Sequence, residues 1–381
     1  MKAIIIGGGI GGLTTAIALQ QRGWQYEVFE AAPEYKTVGA GILLGANAMK
    51  VYERLGIASI LASRGGHLEQ LYIKDYKGKI LQHIDGNQLE QQYGSRSLPI
   101  HRATLQAALL EQLQQPVQTG KKCIAVTETP RGVIARFDDG SEAQGDILVA
   151  ADGIRSAVRE QVIGSQGYRY SGQICWRTTV NMELPDAERH NTAEVWGRGN
   201  GIRASFMHVG GNQVYFWFTK KLPENTPYTN EQALALIQQE LADFSGYMPA
   251  VARNINPAQL IRSDLYDLAP ISTWHKGRVV LLGDAAHATT PNLGQGASQA
   301  IEDAYVLVDS LCSHSDYETA FRHYVTKRVE RAHKIVRLSW QLAQLTNWKG
   351  AFAVAVRNFA VRSIPAGSAK RQLDFLYNIT L

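Results

Sequence analysis

The sequence predicts an α/β protein in which a doubly wound parallel sheet is joined to a second, sheet-based lobe and to a helical C-terminal section. Three observations lead to this prediction. An apolar run, a glycine-rich turn and a helical pattern open the chain. Its middle alternates apolar and polar residues as half-buried strands do, and its last part is long, basic and helical in spacing.

The opening unit is a strand, a turn, a helix and a second strand. Lys2 to Ile6 is a short apolar run, and Leu13 to Arg22 has helical spacing after a cluster of glycines. Tyr26 to Glu30 then returns to the β-branched and aromatic residues that favour strands. This order is typical of the first unit of a doubly wound domain.

The glycine cluster has the spacing Gly7-x-Gly9-x-x-Gly12. The first glycine permits a tight turn, the second lets the backbone approach a pyrophosphate, and the third lets the helix pack closely on the strand. Glu30 lies 18 residues after Gly12, near the ~20-residue offset at which an acid binds the ribose hydroxyls. Glycine-rich turns also arise for structural reasons alone, but the strand, helix and acid together predict a dinucleotide site.

The second half of the chain predicts a second sheet and then helices. Ile174 to Val180 and Gln213 to Phe218 alternate like strands with one buried face. Arg278 to Leu282 is a further buried strand. Helices are predicted from Gln299 to Leu311 and from Tyr317 to about Leu345.

Two later acids each follow an apolar strand. Asp152 precedes Gly153 and a basic helix start, where an acid or serine could also simply cap the helix. Asp284 is followed by a glycine loop at a second helix start. That loop consists of Gly294, Gln295, Gly296, Ala297 and Ser298. A carboxylate before such a loop can hold ribityl hydroxyls while the loop amides face a flavin ring, which favours FAD over NAD.

In this order and spacing, the three segments resemble the fingerprint set of the para-hydroxybenzoate hydroxylase-like (class A) FAD-dependent monooxygenases. The resemblance covers nearly the whole chain. It implies an FAD-binding Rossmann-like domain with an inserted β-sheet substrate domain, C-terminal helices, and a flavin C4a-hydroperoxide as the oxygen donor. The expected limits are 1–72, 97–165 and 265–310 for the FAD-binding domain, 73–96 and 166–264 for the substrate domain, and 311–381 for the helical section.

The resemblance also implies the cofactor-binding residues. These are Gly7, Gly9, Gly11, Gly12, Glu30, Ala31, Arg102, Asp152, Asp284, and Gly294 to Ser298. Arg102 matches an arginine that approaches the flavin and its phosphates, although it could be a surface arginine at a helix start. Asp152 matches an acid linked to both FAD and NAD(P)H, and Asp284 matches the ribityl ligand. Ala31 replaces the arginine that often follows the ribose acid, which weakens the expected adenine contact.

Arg203 and Tyr215 are the candidate catalytic residues of the substrate lobe. Both match a substrate-binding pair in FAD-dependent urate hydroxylases, but Asn292 stands where those enzymes have an aspartate that the mechanism needs. That difference counts against urate. Several segments are similar to quinolone 3-hydroxylases, and some of them are shared with salicylate hydroxylase-like members. They are Ser171 to Arg177, Glu194 to Gly197, Ser339-Trp340, and the tail around Trp348, Arg357-Asn358 and Pro365.

We therefore expect hydroxylation of a small aromatic or N-heteroaromatic substrate, quinolone-like or salicylate-like, with NADH or NADPH and O₂. The alternatives are oxidation of a tetracycline-like antibiotic or of urate, and a flavin-binding sensor or scaffold without turnover. Alternation predicts that Tyr215 and Trp217 share the pocket face, unless this face packs on the C-terminal helices. His287 could act in catalysis, but a structural or flavin-adjacent role is expected.

Composition narrows the partners and the compartment. The net charge of +5 is spread along the chain, which argues against a nucleic-acid partner. Three cysteines without CxxC spacing indicate a reducing cytoplasm and no metal site. The apolar run from Ala351 to Val361 is interrupted by Arg357 and is too short to be a transmembrane segment, but it leaves open an amphipathic contact with a membrane.

Overall fold

The computed structural model describes residues 1–35 and 40–380. The strands are β1 (Lys2–Ile6), β2 (Gln25–Phe29), β3 (Gly41–Leu44), β4 (Gln70–Asp75), β5 (Ile80–Asp85), β6 (Leu98–His101), β7 (Cys123–Thr129), β8 (Gly132–Phe137), β9 (Glu142–Gly145), β10 (Ile147–Ala150), β11 (Tyr168–Asn181), β12 (Asn191–Trp196), β13 (Arg203–His208), β14 (Gln213–Lys221), β15 (Ile261–Leu268), β16 (His275–Lys276) and β17 (Val279–Leu281).

The helices follow in the same chain order. They are α1 (Ile10–Gln21), α2 (Ala46–Arg54), α3 (Ala58–Ala62), α4 (Gly86–Tyr93), α5 (Arg102–Leu110), α6 (Ala157–Val162), α7 (Asp186–Arg189), α8 (Asn230–Leu241), α9 (Met248–Arg253), α10 (Asp284–His287), α11 (Gly296–Ser313), α12 (Tyr317–Thr346), α13 (Ala351–Arg362) and α14 (Ala366–Tyr377). Short 3-10 turns lie at Pro257–Gln259 and Pro291–Leu293.

The first sheet has the order β16-β17-β10-β1-β2. Its strands pair in parallel except for β16, which pairs antiparallel to β17 at one edge. Ile4, Ile5 and Val149 are fully buried because helices cover both faces of such a sheet. The carboxyl ends of β1, β10 and β17 therefore meet at one edge, where ligands of doubly wound sheets bind.

The second sheet has the order β15-β11-β14-β13-β12-β4-β5. Val214, Phe216 and Phe218 of β14 lie in the core beneath α8 and α9. Tyr215 and Trp217 lie on the opposite face, close to Ala40 and Leu43. The predicted alternation of this strand is confirmed, and its polar face looks toward β3 rather than toward α8 and α9.

The predicted α/β fold class is confirmed, and the element boundaries differ by a few residues. Helix α1 begins at Ile10 rather than Leu13, and α11 begins at Gly296 rather than Gln299. Gly11 and Gly12 lie in the first turn of α1, where a Cβ would collide with Leu282 or with the Gly7 carbonyl, and Gly296 is the first residue of α11. The domain limits themselves stay a prediction.

The long helix α12 was predicted from Tyr317 to about Leu345 and runs to Thr346. It begins where Asp316 accepts a hydrogen bond from the N–H of Thr319 at 2.8 Å. Within residues 1–35 and 40–380, no helix has the length and apolar character needed to cross a bilayer.

Candidate functional site

The turn between β1 and α1 leaves open space at the N-terminus of α1. Gly7 has φ +108°, and a Cβ there would lie 2.3 Å from the carbonyl oxygen of Ala151. A Cβ on Gly12 would lie 2.0 Å from the carbonyl oxygen of Gly7, so both positions require glycine for packing. A Cβ on Gly9 would meet no atom within 4 Å. Gly9 therefore faces open space at the N-terminus of α1, where backbone N–H groups can bind phosphate.

Gly11 serves a different purpose from its neighbours. A Cβ on it would lie 2.7 Å from Cδ2 of Leu282 and 3.2 Å from Cβ of Ala300. Its missing side chain therefore lets α1 approach α11, and any contact with a cofactor would have to come from its backbone.

The carboxylate of Glu30 lies against the same turn. Its Oε2 accepts the N–H of Gly8 at 2.7 Å and its Oε1 accepts the N–H of Ala32 at 2.9 Å. Each oxygen keeps a lone pair for a further donor, such as a ribose hydroxyl. Ala31 is exposed and offers only its backbone.

Two side chains that the sequence did not point to lie at this turn. Tyr35 and Gln106 both donate to the carbonyl oxygen of Gly8, each at 3.2 Å. Gln106 follows Arg102 by four positions and so shares its helix face, which is the sequence signal that could have identified it. No comparable signal marks Tyr35.

Asp152 closes the turn after β10 with both carboxylate oxygens engaged. Oδ1 accepts the hydroxyl of Ser156 at 2.5 Å and Oδ2 accepts the N–H of Val158 at 3.3 Å. Ser156 in turn caps α6 by accepting the N–H of Arg159 at 2.9 Å. Burial raises the pKa of Asp152, and the hydrogen bonds from Ser156 and Val158 oppose the rise. Asp152 therefore supports the start of α6, and its role toward FAD or NAD(P)H stays a prediction.

Unlike the carboxylate of Asp152, the carboxylate of Asp284 accepts no hydrogen bond from a described residue. It begins α10, directly after Gly283, which has φ +61°. Its side chain is exposed, yet desolvation by the surrounding protein raises its pKa, with His287 and Arg102 opposing the rise. Both observations fit an acid that lines a recess instead of a convex surface. Among the described residues, no group donates a hydrogen bond to its carboxylate.

The Gly294–Ser298 loop lies beside this acid. A Cβ on Gly296 would lie 4.0 Å from Oδ1 of Asp284, and Gly294 has φ +63°. Ala297 is half-buried. The N-terminus of α11 and the carboxylate of Asp284 thus border the same space.

The side chains of Gln295 and Ser298 are buried and hold the loop from behind. Oε1 of Gln295 accepts the amide of Asn47 at 3.0 Å, and Oγ of Ser298 accepts the N–H of Gly45 at 3.2 Å. These contacts occupy Oε1 of Gln295 and one acceptor site of Ser298 Oγ, and they fix the loop backbone in place.

Arg102 was predicted to approach the flavin and its phosphates, and its charge acts on residues of both sheets. It is exposed at the start of α5. Burial raises the pKa of Asp284 and of Tyr215, and the charge of Arg102 opposes the rise at each. The charge of Arg102 therefore acts on an acid at the end of the first sheet and on a phenol of the second.

Arg203 is buried on the face of the second sheet that carries Trp217. It forms an ion pair with Glu194 at 2.9 Å and donates a second hydrogen bond to Oδ1 of Asn292. Its guanidinium lies 5.4 Å from the ring centre of Trp217. The indole N–H of Trp196 donates to the same Glu194 oxygen at 2.7 Å. The charge of Arg203 is thus neutralised within the protein, and its Nε has no partner among the described residues.

Tyr215 and Arg203 share a sheet face but do not meet. The register pairs Met207 with Tyr215 and places Arg203 four residues earlier on β13, a separation of about 13 Å along the strand. Trp217 lies between them. A Cβ on Gly41 would lie 2.4 Å from Cβ of Tyr215, so this face closes directly on β3.

Arg177 is a further residue of this face that the sequence did not single out. It pairs with Trp217 across β11 and β14 and lies beside the hydroxyl of Tyr215. Its Nη2 donates to Ser263 at 2.8 Å, while its Nε has no partner among the described residues. An arginine at an alternating position of an apolar strand was the available signal.

His287 belongs to the structural interior. Its Nε2 lies 2.5 Å from Oδ2 of Asp303, and its ring packs on Trp274 with centroids 5.0 Å apart. Asp303 also accepts the N–H of Gly283 at 3.0 Å and Nε of Arg328 at 2.7 Å. This buried group holds the turn that presents Asp284. In the part of the chain that the structure describes, no cluster of His, Cys, Asp or Glu is arranged to hold a metal ion.

The groups of the site that border open space or keep free hydrogen-bond acceptors are suited to binding FAD. Gly9 leaves space for a pyrophosphate, Glu30 keeps acceptors for the adenosine ribose, and Asp284 offers an unpartnered carboxylate for ribityl hydroxyls. Each lies at the edge of the first sheet where β1, β2 and β17 end.

Comparison with known proteins agrees with this fit. A family model described as FAD binding domain matches residues 1–339. The chain is 35% identical over 383 residues to the aurachin C monooxygenase/isomerase of Stigmatella aurantiaca, covering 98% of each. It is 34% identical over 375 residues to the 2-heptyl-3-hydroxy-4(1H)-quinolone synthase of Pseudomonas aeruginosa, covering 97% of the chain and 96% of that protein.

Among solved structures, Klebsiella pneumoniae HpxO complexed with FAD and uric acid matches with a TM-score of 0.90 at 32% identity, covering 99% of the chain and 96% of HpxO. Similarity of this extent in both sequence and fold shows common descent over essentially the whole chain. The protein therefore belongs to the FAD-binding-domain family and, within it, to the para-hydroxybenzoate hydroxylase-like FAD-dependent monooxygenases.

Proposed function

We propose that this monooxygenase hydroxylates a quinolone-like N-heteroaromatic substrate with NAD(P)H and O₂. The observation that carries the proposal is the closure of one face of the second sheet on the candidate FAD site. Tyr215 packs on Gly41 of β3, and Arg203 binds Asn292 in the turn before the Gly294–Ser298 loop. A planar substrate held by this face would lie next to the flavin.

The chemistry of the face favours a ring that carries an acceptor oxygen. Trp217 and Met207 provide flat and apolar walls, while Arg177 and Tyr215 provide hydrogen-bond donors. A ring oxo or hydroxyl group would accept hydrogen bonds from Arg177 and Tyr215. The rest of a quinolone would pack on Trp217 and Met207. The neutralisation of Arg203 by Glu194 removes one cation that a small carboxylic acid would otherwise use.

FAD, when bound, accepts a hydride from NAD(P)H and activates O₂ for transfer of one oxygen atom to an electron-rich ring. The protein binds the ring, excludes water and orients it. Arg177 would favour ionisation of a ring hydroxyl by its positive charge, and an ionised ring is the better nucleophile. Tyr215 would hold the same oxygen.

The test is turnover by the holoenzyme with a substrate panel. A 2-alkyl-4-quinolone, salicylate, urate and tetracycline are each supplied with NADH or NADPH, and cofactor oxidation, O₂ uptake and product mass are measured. We expect the quinolone to stimulate oxidation and to gain one oxygen atom. Arg177→Gln should retain FAD and lose most of this stimulation.

Two outcomes would contradict the proposal. Turnover of salicylate, urate or tetracycline without turnover of the quinolone would assign a different substrate class. FAD-loaded protein that NAD(P)H does not reduce with any of these compounds present would favour a sensor or scaffold.

A further inference from the structure

Helix α13 is apolar on both its inward and its outward face. Val354 and Val361 are buried against the rest of the protein. On the opposite side, Phe352 is 84% exposed and Phe359 is 73% exposed, with Val356 between them at 43%. A helix with apolar side chains on opposite sides is normally covered on both. The outward face of α13 therefore needs a partner that the described chain does not supply.

Further exposed apolar side chains lie directly before and after the helix. Trp348 is 44% exposed and Ile364 is 38% exposed. We define the α13 surface as these two residues together with the outward side chains of the helix. Its members are Trp348, Phe352, Val356, Phe359 and Ile364. Large apolar side chains concentrated in so short a segment mark an interaction surface.

The helix is anchored to the second sheet and is not a frayed end. The guanidinium of Arg357 is buried 5.0 Å from the ring centre of Trp196 and donates to the carbonyl oxygen of Gly197. Val361 packs with Leu81 and Trp196. These contacts hold Phe352 and Phe359 outward on a rigid element.

The stretch of chain that carries the α13 surface is positively charged. From Arg331 to Leu373 the sequence contains eight Lys or Arg residues and no Asp or Glu. Lys349 and Arg362, both exposed, lie immediately at the two ends of the helix. A second copy of the chain would bring the same positive charge against this surface and be repelled. An anionic partner with an apolar interior would be attracted.

We propose that the α13 surface binds an anionic lipid bilayer. Basic residues next to exposed aromatic residues are the pattern of helices that lie in the membrane interface. The 12 residues of α13 span about 18 Å, well short of a ~30 Å hydrocarbon core, so the helix would lie in the plane of the membrane. This inference goes beyond the proposed function and does not depend on the substrate.

Vesicle flotation of the holoenzyme tests the proposal. The two preparations contain phosphatidylcholine alone or phosphatidylcholine with phosphatidylglycerol. We expect binding to the anionic vesicles, weakened by added salt. Phe352→Ser with Phe359→Ser should lower the partition by about tenfold for each phenylalanine. Lys349→Gln with Arg362→Gln should lower it about tenfold or more and remove the preference for anionic lipid.

The matched control is Ile124→Ser, which removes an apolar side chain that is 52% exposed on β7, outside the α13 surface. It should bind vesicles like the wild type. FAD content and hydroxylase activity without vesicles should be unchanged in all variants, since none of these residues lies in the site. The proposal is overturned if the wild type does not bind anionic vesicles, or if the phenylalanine substitutions instead abolish a dimer seen by light scattering.

Discussion

Asp284 differs from the other acids of the site because no described group donates a hydrogen bond to it. We predict that Asp284→Ala weakens FAD binding by about 10- to 100-fold, since ribityl hydroxyls left without an acceptor cost about 1–3 kcal/mol. Titration of the apoprotein with FAD, followed by flavin absorbance, measures the change. Asp309→Ala, on the exposed side of α11, is the control. Equal affinity in both variants would remove Asp284 from the cofactor site.

We expect two glycines of the first turn to have different roles, Gly9 in FAD binding and Gly12 in packing. Gly9 has extended backbone angles and space for a Cβ, so the Gly9→Ala apoprotein should fold with an unchanged Tm but bind FAD more weakly. Gly12→Ala should destabilise the apoprotein itself by about 1–3 kcal/mol, because its Cβ would collide with the Gly7 carbonyl. Thermal unfolding of both apoproteins and FAD titration distinguish the effects. The same loss of Tm in both variants would refute these different roles of Gly9 and Gly12.

Tyr215 is a candidate substrate-binding residue, and Arg177 lies beside its hydroxyl. Tyr215→Phe should leave FAD content unchanged while raising the substrate KM about 3- to 10-fold, the value of one lost hydrogen bond. It should also divert NAD(P)H oxidation toward hydrogen peroxide. Steady-state kinetics with a peroxide assay test this. Wild-type KM and coupling would make Tyr215 a core residue only.

Helices α11 and α12 are joined by a buried ionic group that supports the cofactor loops. Glu302 binds Arg331 at 2.8 Å and the amide of Asn47 at 2.5 Å, and Asp303 binds Arg328 at 2.7 Å. Removing one partner of such a group is costly because the other charge stays buried. The network therefore ties α2, α11 and α12 into one support behind the Gly294–Ser298 loop.

Because Asp303 titrates, the contribution of this ionic group to the free energy of unfolding depends on pH. Burial disfavours its charged form, but His287 and Arg328 outweigh burial and hold its pKa at about 2. Because the unfolded value is about 4, the stabilisation is complete above pH ~4 and is lost as pH falls toward about 2. It amounts to about 2–3 kcal/mol. Urea unfolding from pH 7 to 3 should show a weaker acid dependence in Asp303→Asn than in wild type or Asp309→Asn.

At the scale of the whole molecule, FAD is expected to connect the edge of the first sheet to the face of the second. A ligand that binds only the folded protein adds about 2.7 kcal/mol at 100 times its Kd. The Tm of the apoprotein should therefore rise with FAD concentration. Asp284→Ala should need more FAD for the same rise. A Tm that does not respond to FAD would contradict the proposed site.

Much of the architecture could be predicted from the sequence. The strand at Lys2–Ile6, the alternation of β14 and the packing roles of Gly7 and Gly12 appeared as expected. These features are local: backbone periodicity and the absence of a Cβ act over a few residues. Family resemblance then led to FAD and hydroxylation, which the comparisons confirm at the level of the enzyme class.

The hydrogen-bonding partners of the site could not be predicted in the same way. Asn47 binds Glu302 across 255 positions of sequence, and Arg203 binds Asn292 across 89. Arg177 meets Trp217 only through the register of β11 and β14. No local pattern encodes such pairs, because they form only when distant segments pack.

The sequence by itself determined the fold class, the glycine turn and the acids at the ends of strands, because each depends on residue spacing along one segment. Only the tertiary structure decided which polar groups remain free. Both carboxylate oxygens of Asp152 are occupied by the protein, whereas no described group donates to Asp284. A side chain can bind a ligand only if neighbours brought by folding leave its donors and acceptors unpaired.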